Sequence, residues 1–388
     1  MAALLRSLRD LFVSLKLTVV LLVLGMILVF VATIDQVNLG IWGIQHKWFR
    51  SFVVMQDVRG IMVPIFPGGY LIGGLYFINL FAAHIYRFKF GWRKSGILLT
   101  HAGFILLLVG ELLSGLWQED FHLRLNPGET KNYSESARAI ELALVNTTDP
   151  KFDEVVAIPE GLLSREGSVQ DPKLPFRVVV KHYYPNSMVQ MRTATSTTPP
   201  SEATAGFGAQ LAAIPLPMTY KEDERNLPSA FVELIGPDGS LGTWLASLHL
   251  VAPQEFTVAG QTWKIALRPK RAYKPFSLTL VKFSHDRYPG TEIPKNFSSK
   301  VHISTPDGRD DRDVLIYMNN PLRYQGLTFY QAGFENNDRT TILQVVRNPS
   351  WQLPYVACAL MTLGLLIQFG IHLTAFVGKR RNLSTAAA

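Results

Sequence analysis

The sequence predicts a membrane protein with four transmembrane helices and a large β-rich extracytoplasmic domain of sandwich or barrel-like form. Hydrophobic residues make up 48% of the 388 residues and mean hydropathy is +0.14, which is too apolar for a purely soluble chain. Four apolar runs are each long enough to cross about 30 Å of hydrocarbon. Between the third and fourth runs, short β-branched or aromatic segments alternate with turn residues.

The first two runs show how the chain enters the membrane. Residues 17–34 predict a retained anchor, because their apolar core exceeds the roughly 7–15 residues of a signal peptide and no small-x-small cleavage site precedes Asp35. In the second run Pro64 and Pro67 disfavour a continuous helix, so the helix is expected over about 70–86. Further spans at 96–117 and 353–377 then delimit an N-terminal membrane region (1–117), a β-rich domain (118–350) and a C-terminal helix with its tail (351–388).

Basic residues cluster on one side of the four spans. By the positive-inside rule that side is cytoplasmic, so we expect both termini in the cytoplasm, the β-rich domain outside it, and the chain in the inner (cytoplasmic) membrane of a cell. The domain holds 25 Lys and Arg against 26 Asp and Glu, so the basic excess lies at the membrane flanks and indicates the lipid bilayer as partner, with no nucleic acid. The basic residues on the side expected to be cytoplasmic are Arg6, Arg9, Lys16, Arg87, Lys89, Arg93, Lys94, Lys379, Arg380 and Arg381.

The cysteine content excludes one class of chemistry. The single cysteine, Cys358, lies inside the fourth span. The β-rich domain therefore has neither a disulfide nor a Cys-x-x-Cys pair, and it cannot act as a dithiol oxidoreductase. Any thiol chemistry must belong to a partner.

Three histidines, His84, His101 and His372, lie within the spans or close to their ends. An ionisable side chain inside a membrane helix is costly and so indicates a functional site. Neutral imidazole is a good ligand for haem iron, which makes haem the candidate cofactor. With cytoplasmic termini all three histidines are expected near the inner ends of their helices, at one membrane depth. The alternative is a structural histidine that hydrogen-bonds a helix carbonyl or reaches the interface.

Glu111 is a second ionisable group in the third span. It is open to four interpretations: pairing with a partner subunit, a neutral carboxyl, a proton relay, or a role in helix packing.

The β-rich domain is expected to be antiparallel. Residues 187–229, rich in Thr, Pro, Ala and Gly, instead predict a loop or a weakly helical insertion. No Ser-His-Asp or paired-carboxylate set stands out. Strands are predicted at 176–184, 230–235, 256–267, 276–283, 301–304, 314–318 and 341–346, and turns at 237–239, 289–290, 306–308 and 319–321.

The same domain contains two further stretches of note, VKFSHDRYPGTEIPKNFSSKV at 281–301 and the aromatic-rich MNNPLRYQGLTFYQAGF at 318–334. They resemble the signature of the ResB family of System II cytochrome c biogenesis. The order of three spans, outer domain and one span, with His-x-Gly near the start of the third helix, is similar as well. The resemblance implies a non-autonomous subunit of a haem lyase (cytochrome c synthase) complex, which handles or exports haem and supports its covalent attachment to apocytochrome c.

The resemblance also implies partners and site residues. A CcsA/ResC-type membrane haem-handling protein would carry the Trp-rich haem motif that this chain lacks, apocytochrome c would be the substrate, and a thiol-reducing partner would act indirectly. His101 occupies the position implicated in haem ligation, as an axial ligand of the iron, and His84 is a second cofactor-binding candidate. The implied cofactor is haem b, held transiently and shared with the partner subunit.

Two alternatives stay open. One is a membrane electron-transfer cytochrome that holds its own haem through two of the three histidines. The other is a non-catalytic scaffold that docks apocytochrome while the histidines only pack.

Overall fold

The computed structural model describes residues 2–87, 91–192, 201–219, 225–291, 294–336 and 339–386, with the side chains of 2–5, 294 and 380–386 left aside. Lys89, the segment 193–200, and the side chains of Arg380 and Arg381 lie outside this description. The described chain divides into two compact units. A helical unit comprises residues 2–118 and 348–386, and a β-rich unit comprises 119–219 and 225–347.

Four helices are long and apolar enough to cross a membrane, as the sequence predicts. Their apolar segments extend over Leu15–Phe49, Gly69–Arg87, Trp92–Trp117 and Leu353–Lys379. The helices are α1 (Ala2–Phe12), α2 (Leu15–Ile44), α3 (Gly69–Arg87), α4 (Ser95–Trp117), α5 (Glu160–Leu163, in the β-rich unit) and α6 (Leu353–Ala386).

The second helix, α2, continues ten residues beyond the predicted end at residue 34. Its charged Asp35 accepts hydrogen bonds from Lys47 Nζ at 2.9 Å and from Trp48 Nε1 at 2.8 Å. The charge therefore has partners on the following π-helical turn, Gln45–Phe49, and does not end the helix. Gly40, with φ 62°, supplies the kink that leads into that turn.

A β-hairpin not predicted from the sequence follows, formed by β1 (Val53–Val58) and β2 (Ile61–Pro67). Helix α3 then begins at Gly69, two residues after Pro67. This start agrees with the expectation of a helix from about residue 70, and the reason is the same: proline cannot continue the hydrogen-bond pattern of a helix.

Helices α4 and α6 pack closely and antiparallel through small residues. Gly96, Gly103 and Gly110 recur every seventh residue on α4 and are buried. A Cβ on Gly103 would lie 2.7 Å from the Ala357 carbonyl oxygen, and one on Gly96 would lie 2.5 Å from that of Gly364. Only glycine permits this approach, which is the usual way membrane helices gain packing contacts.

The β-rich unit is antiparallel, as predicted, and its largest sheet curls into a nearly closed barrel. Its strands are β3 (Glu119–Leu125), β4 (Thr130–Asn146), β5 (Glu154–Pro159), β6 (Gly167–Val169), β7 (Arg177–Tyr184), β8 (Ser187–Met191), β9 (Leu211–Pro215), β10 (Ser229–Gly236), β11 (Gly239–Ser247), β12 (Gln254–Val258), β13 (Gln261–Arg287), β14 (Pro294–Ser304), β15 (Asp311–Tyr317), β16 (Leu322–Tyr324), β17 (Leu327–Glu335) and β18 (Thr340–Arg347).

Strand order explains the two cores of this unit. The large sheet runs β15-β14-β13-β4-β3-β18-β17-β16, with β12 on β13 and β5 on β4, and a smaller sheet runs β11-β10-β7-β6. One core is enclosed by the curled part of the large sheet, around Phe276 and Phe329. The other lies between the small sheet and the β4–β13 region, around Trp263 and Phe176. The unit therefore combines barrel-like and sandwich packing.

Two strand predictions were wrong. Residues 256–267 form the hairpin β12–β13 rather than one strand, because Ala259, with φ 51°, and Gly260 turn the chain. Residues 187–229 were expected to be a loop or weakly helical, yet β8 pairs with β9. The predicted turns at 289–290, 306–308 and 319–321 fall between strands, and the turn at 237–239 joins β10 to β11, whose first residue is Gly239.

Candidate functional site

His84 and His101 lie against each other in the helical unit. Their ring centroids are 4.6 Å apart and the rings are tilted by 52°. His84 is three residues before the end of α3 and His101 is six residues after the start of α4. Both rings are half-buried, within about two turns of the same end of the two helices.

Hydrogen bonds along the helices set the tautomers of the two rings. His84 Nδ1 lies 2.9 Å from the Leu80 carbonyl oxygen, and His101 Nδ1 lies 2.9 Å from that of Ile97. A carbonyl can only accept, so each Nδ1 carries a proton, and in the neutral form of such a ring the lone pair is on Nε2. This is the state in which imidazole binds a metal, with the Nδ1–H bond fixing ring orientation. Within the described residues, His101 Nε2 has no hydrogen-bond partner.

Neighbouring contacts hold α3 in place. Tyr76 and Phe104 meet edge to face at 6.2 Å, further along the two helices from the histidines. Asn79, which is 1% exposed, donates to the carbonyl oxygens of Phe12 at 2.7 Å and Ser14 at 3.1 Å, at the junction of α1 and α2. The sequence analysis did not identify Asn79, although an asparagine in an apolar run was a signal for it.

His372 lies apart from this pair. Its Nε2 is 2.9 Å from Gln368 Nε2, and Gln368 packs against Gly96. Because α4 and α6 are antiparallel, His101 and His372 extend in opposite directions from that contact, and their positions differ by roughly 15 Å along the helix axis. The expectation that all three histidines share one depth therefore does not hold for His372.

The pair was compared with the geometry that haem ligation requires. Imidazole nitrogens bind metals at about 2 Å, so two rings on opposite sides of one iron have centroids roughly 6 Å apart. The observed 4.6 Å leaves no space for an iron and a porphyrin plane between the rings. The arrangement fits a haem that has one imidazole ligand from this pair. Among the described residues no group of three or more His, Cys, Asp or Glu side chains could hold a metal ion.

Two other ionisable side chains, those of Glu111 and His122, lie elsewhere. Glu111 is exposed on α4, towards the end opposite to the histidine pair. His122 belongs to β3 of the β-rich unit, where burial, followed by the charge of Arg124, lowers the pKa of its imidazole.

Part of the sequence of the β-rich unit matches a known protein family. Residues 237–342, which include both stretches quoted above, match the ResB-like family. The β-rich unit therefore contains a ResB-like segment. The matched segment lies within the β-rich unit, so it includes neither His84 nor His101.

The chain is also similar to curated relatives over part of its length. It is 35% identical over 102 residues to "Protein NrfI" of Wolinella succinogenes, which is 26% of this chain and 11% of that protein. It is 36% identical over 115 residues to "Cytochrome c biogenesis protein CcsB" of Synechococcus sp. (strain WH7803), and 30% identical over 116 residues to the protein of that name from Crocosphaera subtropica. These matches cover 28% and 30% of this chain, and 26% and 25% of those proteins. The chain thus spans about a quarter of these relatives' length or less.

Proposed function

We propose that this chain is the ResB-like subunit of a System II cytochrome c synthetase complex. In this role it handles haem b together with a CcsA/ResC-type partner and supports covalent attachment of the haem to apocytochrome c. The observation that carries the proposal is the His84–His101 contact, with each Nδ1 held by a helix carbonyl. The names of the curated relatives, CcsB among them, support a role in cytochrome c biogenesis.

The proposal includes an orientation in the inner membrane. Arg87, Arg93 and Lys94 lie between the ends of α3 and α4 that bear the histidines. The positive-inside rule makes this end cytoplasmic, with the β-rich unit on the outer side. Haem would then meet this subunit near the inner face of the membrane.

His101 is the proposed axial ligand of the haem iron. Its Nδ1–H bond to Ile97 orients the ring and increases the basicity of Nε2. His84 packs beside it as a ring neighbour and keeps water from one side of the imidazole. The two rings are too close to bind one iron between them, so any second ligand would have to come from the partner subunit.

The chemistry of attachment is shared with the other components. Bound haem would supply the group that becomes linked to apocytochrome c through thioether bonds. Cys358 lies in α6, so the thiols belong to the substrate and their reduction to a separate protein. This chain's own contribution is to bind, orient and desolvate.

The spacing of the rings also argues against an autonomous bis-histidine cytochrome. His84 and His101 would have to move apart by about 2 Å to bind one iron between them. His372 is held by Gln368 and lies at a different depth.

The test is haem retention by the complex. The chain is co-expressed with a CcsA-type partner, the complex is purified, and haem content and the reduced absorption spectrum are measured for wild type, His101→Ala, His84→Ala and His372→Ala. We expect His101→Ala to lose haem and added imidazole to restore its spectrum. We expect His84→Ala to keep part of the haem, and His372→Ala, the matched control, to keep all of it. Full retention by His101→Ala contradicts the ligand assignment, and a complex free of haem in every form supports the scaffold alternative.

A further inference from the structure

Glu111 lies six residues before the C-terminal end of α4, inside a helix that is long and apolar enough to span a membrane. Its side chain is exposed, and within the described part of the chain it makes neither a hydrogen bond nor an ion pair. A charged side chain facing lipid at this depth is costly, and such residues almost always pair with another group.

On the side of α4 that packs against α6, Ser114 has partners within the chain. Ser114 Oγ lies 3.1 Å from Ser350 Oγ and accepts a hydrogen bond from Asn348 Nδ2 at 3.0 Å. These partners precede α6, which covers that side through Gly110 and the other glycines. The helical unit therefore supplies partners for Ser114 but none, among its described residues, for Glu111.

The surface around Glu111 has the form of a helix-packing site. Leu112 and Leu116 are 51% and 58% exposed, and a Cβ placed on Gly115 would meet no atom within 4 Å. Positions i and i+4 lie on one helix face, and positions i+1 and i+5 lie beside them, within about 140° of the helix circumference. A glycine one turn from a carboxyl group lets a second helix approach closely, and the leucines flank the contact. We call Glu111, Leu112, Gly115 and Leu116 the Glu111 face.

We propose that the Glu111 face binds a membrane-spanning helix of the partner subunit, which places a cationic Arg, Lys or protonated His side chain against the Glu111 carboxylate. The inference rests on the proposed function, which supplies the partner. Charge complementarity selects this occupant: lipid tails offer no counter-charge in the hydrocarbon, and the described part of this chain places none beside Glu111.

The experiment measures how much CcsA-type partner co-purifies with the tagged full-length chain in mild detergent. The variants are Glu111→Leu, Glu111→Gln and the double variant Glu111→Leu with Leu113→Glu, which retains one carboxylate but moves it off the Glu111 face, about 160° around the helix. We expect Glu111→Leu to lower the recovered partner roughly tenfold, the size expected for loss of one polar contact inside a membrane. With Glu111→Gln the amount of recovered partner is expected to lie between those of wild type and Glu111→Leu. The double variant is expected to recover no more partner than Glu111→Leu does.

The amount of chain in the membrane fraction is measured alongside, because Glu111→Leu makes the span more apolar and should insert at least as well as wild type. Equal partner recovery by wild type and Glu111→Leu overturns this inference alone, and means that the carboxyl is carried in a neutral form or satisfied by lipid headgroups. A wild-type chain that recovers no partner contradicts the proposed function, and this inference with it. Restored binding in the double variant also overturns it, because the contact would then not depend on this face.

Discussion

Lys274 is a buried cation whose removal should stabilise the β-rich unit. The side chain is 8% exposed and lies in β13, where the pairing with β4 shifts between Tyr273 and Leu278. Its Nζ donates to Ser134 Oγ at 2.8 Å and weakly to the Ala272 carbonyl oxygen at 3.4 Å, with no carboxylate partner among the described residues. Burial lowers the pKa of Lys274 from 10.5 to about 8.

The magnitude follows from linkage. A shift of about 2.5 pKa units corresponds to a cost of about 3 kcal/mol at neutral pH, where the lysine is charged in both the folded and unfolded states. Lys274→Met removes that cost but leaves the buried Ser134 hydroxyl without its partner, at about 1–2 kcal/mol. The variant should therefore gain about 1–2 kcal/mol in free energy of unfolding near pH 7.

The pH dependence gives the sharper test. The folded-state pKa of Lys274 is below the unfolded value, so the unfolded state binds more protons between about pH 8 and 10.5. Wild-type stability attributable to this group must rise with pH through that window, by about 2 kcal/mol between about pH 7 and 9.5. The Met variant lacks this rise. Its advantage over wild type should therefore shrink, and reverse by up to about 1 kcal/mol, as the pH increases.

The assay is denaturant unfolding of the full chain in detergent at both pH values, followed by the circular dichroism of the strands. Lys270→Met, at an exposed position of the same strand, is the control and should show no pH-dependent difference from wild type. Parallel changes in wild type and Lys274→Met between the two pH values would refute the reasoning, because they would mean that Lys274 keeps an ordinary pKa in the folded protein.

Two further predictions concern the helical unit. Asn79→Ala removes three hydrogen bonds at the α1–α2 junction. At about 0.6 kcal/mol for each bond inside a membrane protein, the free energy of unfolding should fall by about 2 kcal/mol, which thermal unfolding in detergent would measure. The control Ile78→Ala, at an exposed position, should be close to neutral in the same assay. Equal melting temperatures of the two variants would show that the Asn79 hydrogen bonds do not stabilise the packing of α3 against the α1–α2 junction. Gly103→Leu should separate α4 from α6 and lower the free energy of unfolding by about 1–3 kcal/mol or more. The control Gly25→Leu should not lower it, because a Cβ at residue 25 meets no atom within 4 Å. Equal melting temperatures of the two variants would contradict the close packing of α4 and α6.

Local chemistry made part of the fold predictable. The four spans were predictable from the length of the apolar runs, and the start of α3 was predictable from Pro67 to within a residue or two. Turns such as 237–239 were predictable because their proline and glycine residues favour one backbone conformation. In each case the deciding interaction is short-range.

The features that were missed depend on distant residues. Helix α2 continues past Asp35 because Lys47 and Trp48, twelve and thirteen residues later, accommodate the charge. Likewise β8 pairs with β9 across a segment whose composition favours loops, and only that pairing makes either one a strand. A local pattern contains neither contact.

The candidate site shows the same division. Composition identified His84 and His101, but their contact depends on how α3 crosses α4, and the displacement of His372 depends on the glycine contacts between α4 and α6. Their assignment as haem ligands stays a prediction. The distance between them could be obtained only from the packed helices.

The same packing bears on where a second haem ligand would come from. His101 is on α4, which packs closely against α6 through glycines that have no space for a Cβ. His84 lies five residues from Asn79, whose hydrogen bonds attach α3 to the α1–α2 junction. Separating the two rings by about 2 Å would disturb one of these anchors, and the cost would recur each time haem was bound and released. Approach of haem to His101 Nε2 from outside the pair would disturb neither anchor. This favours the proposal that this chain would contribute one ligand to a haem and that a partner would contribute any second one.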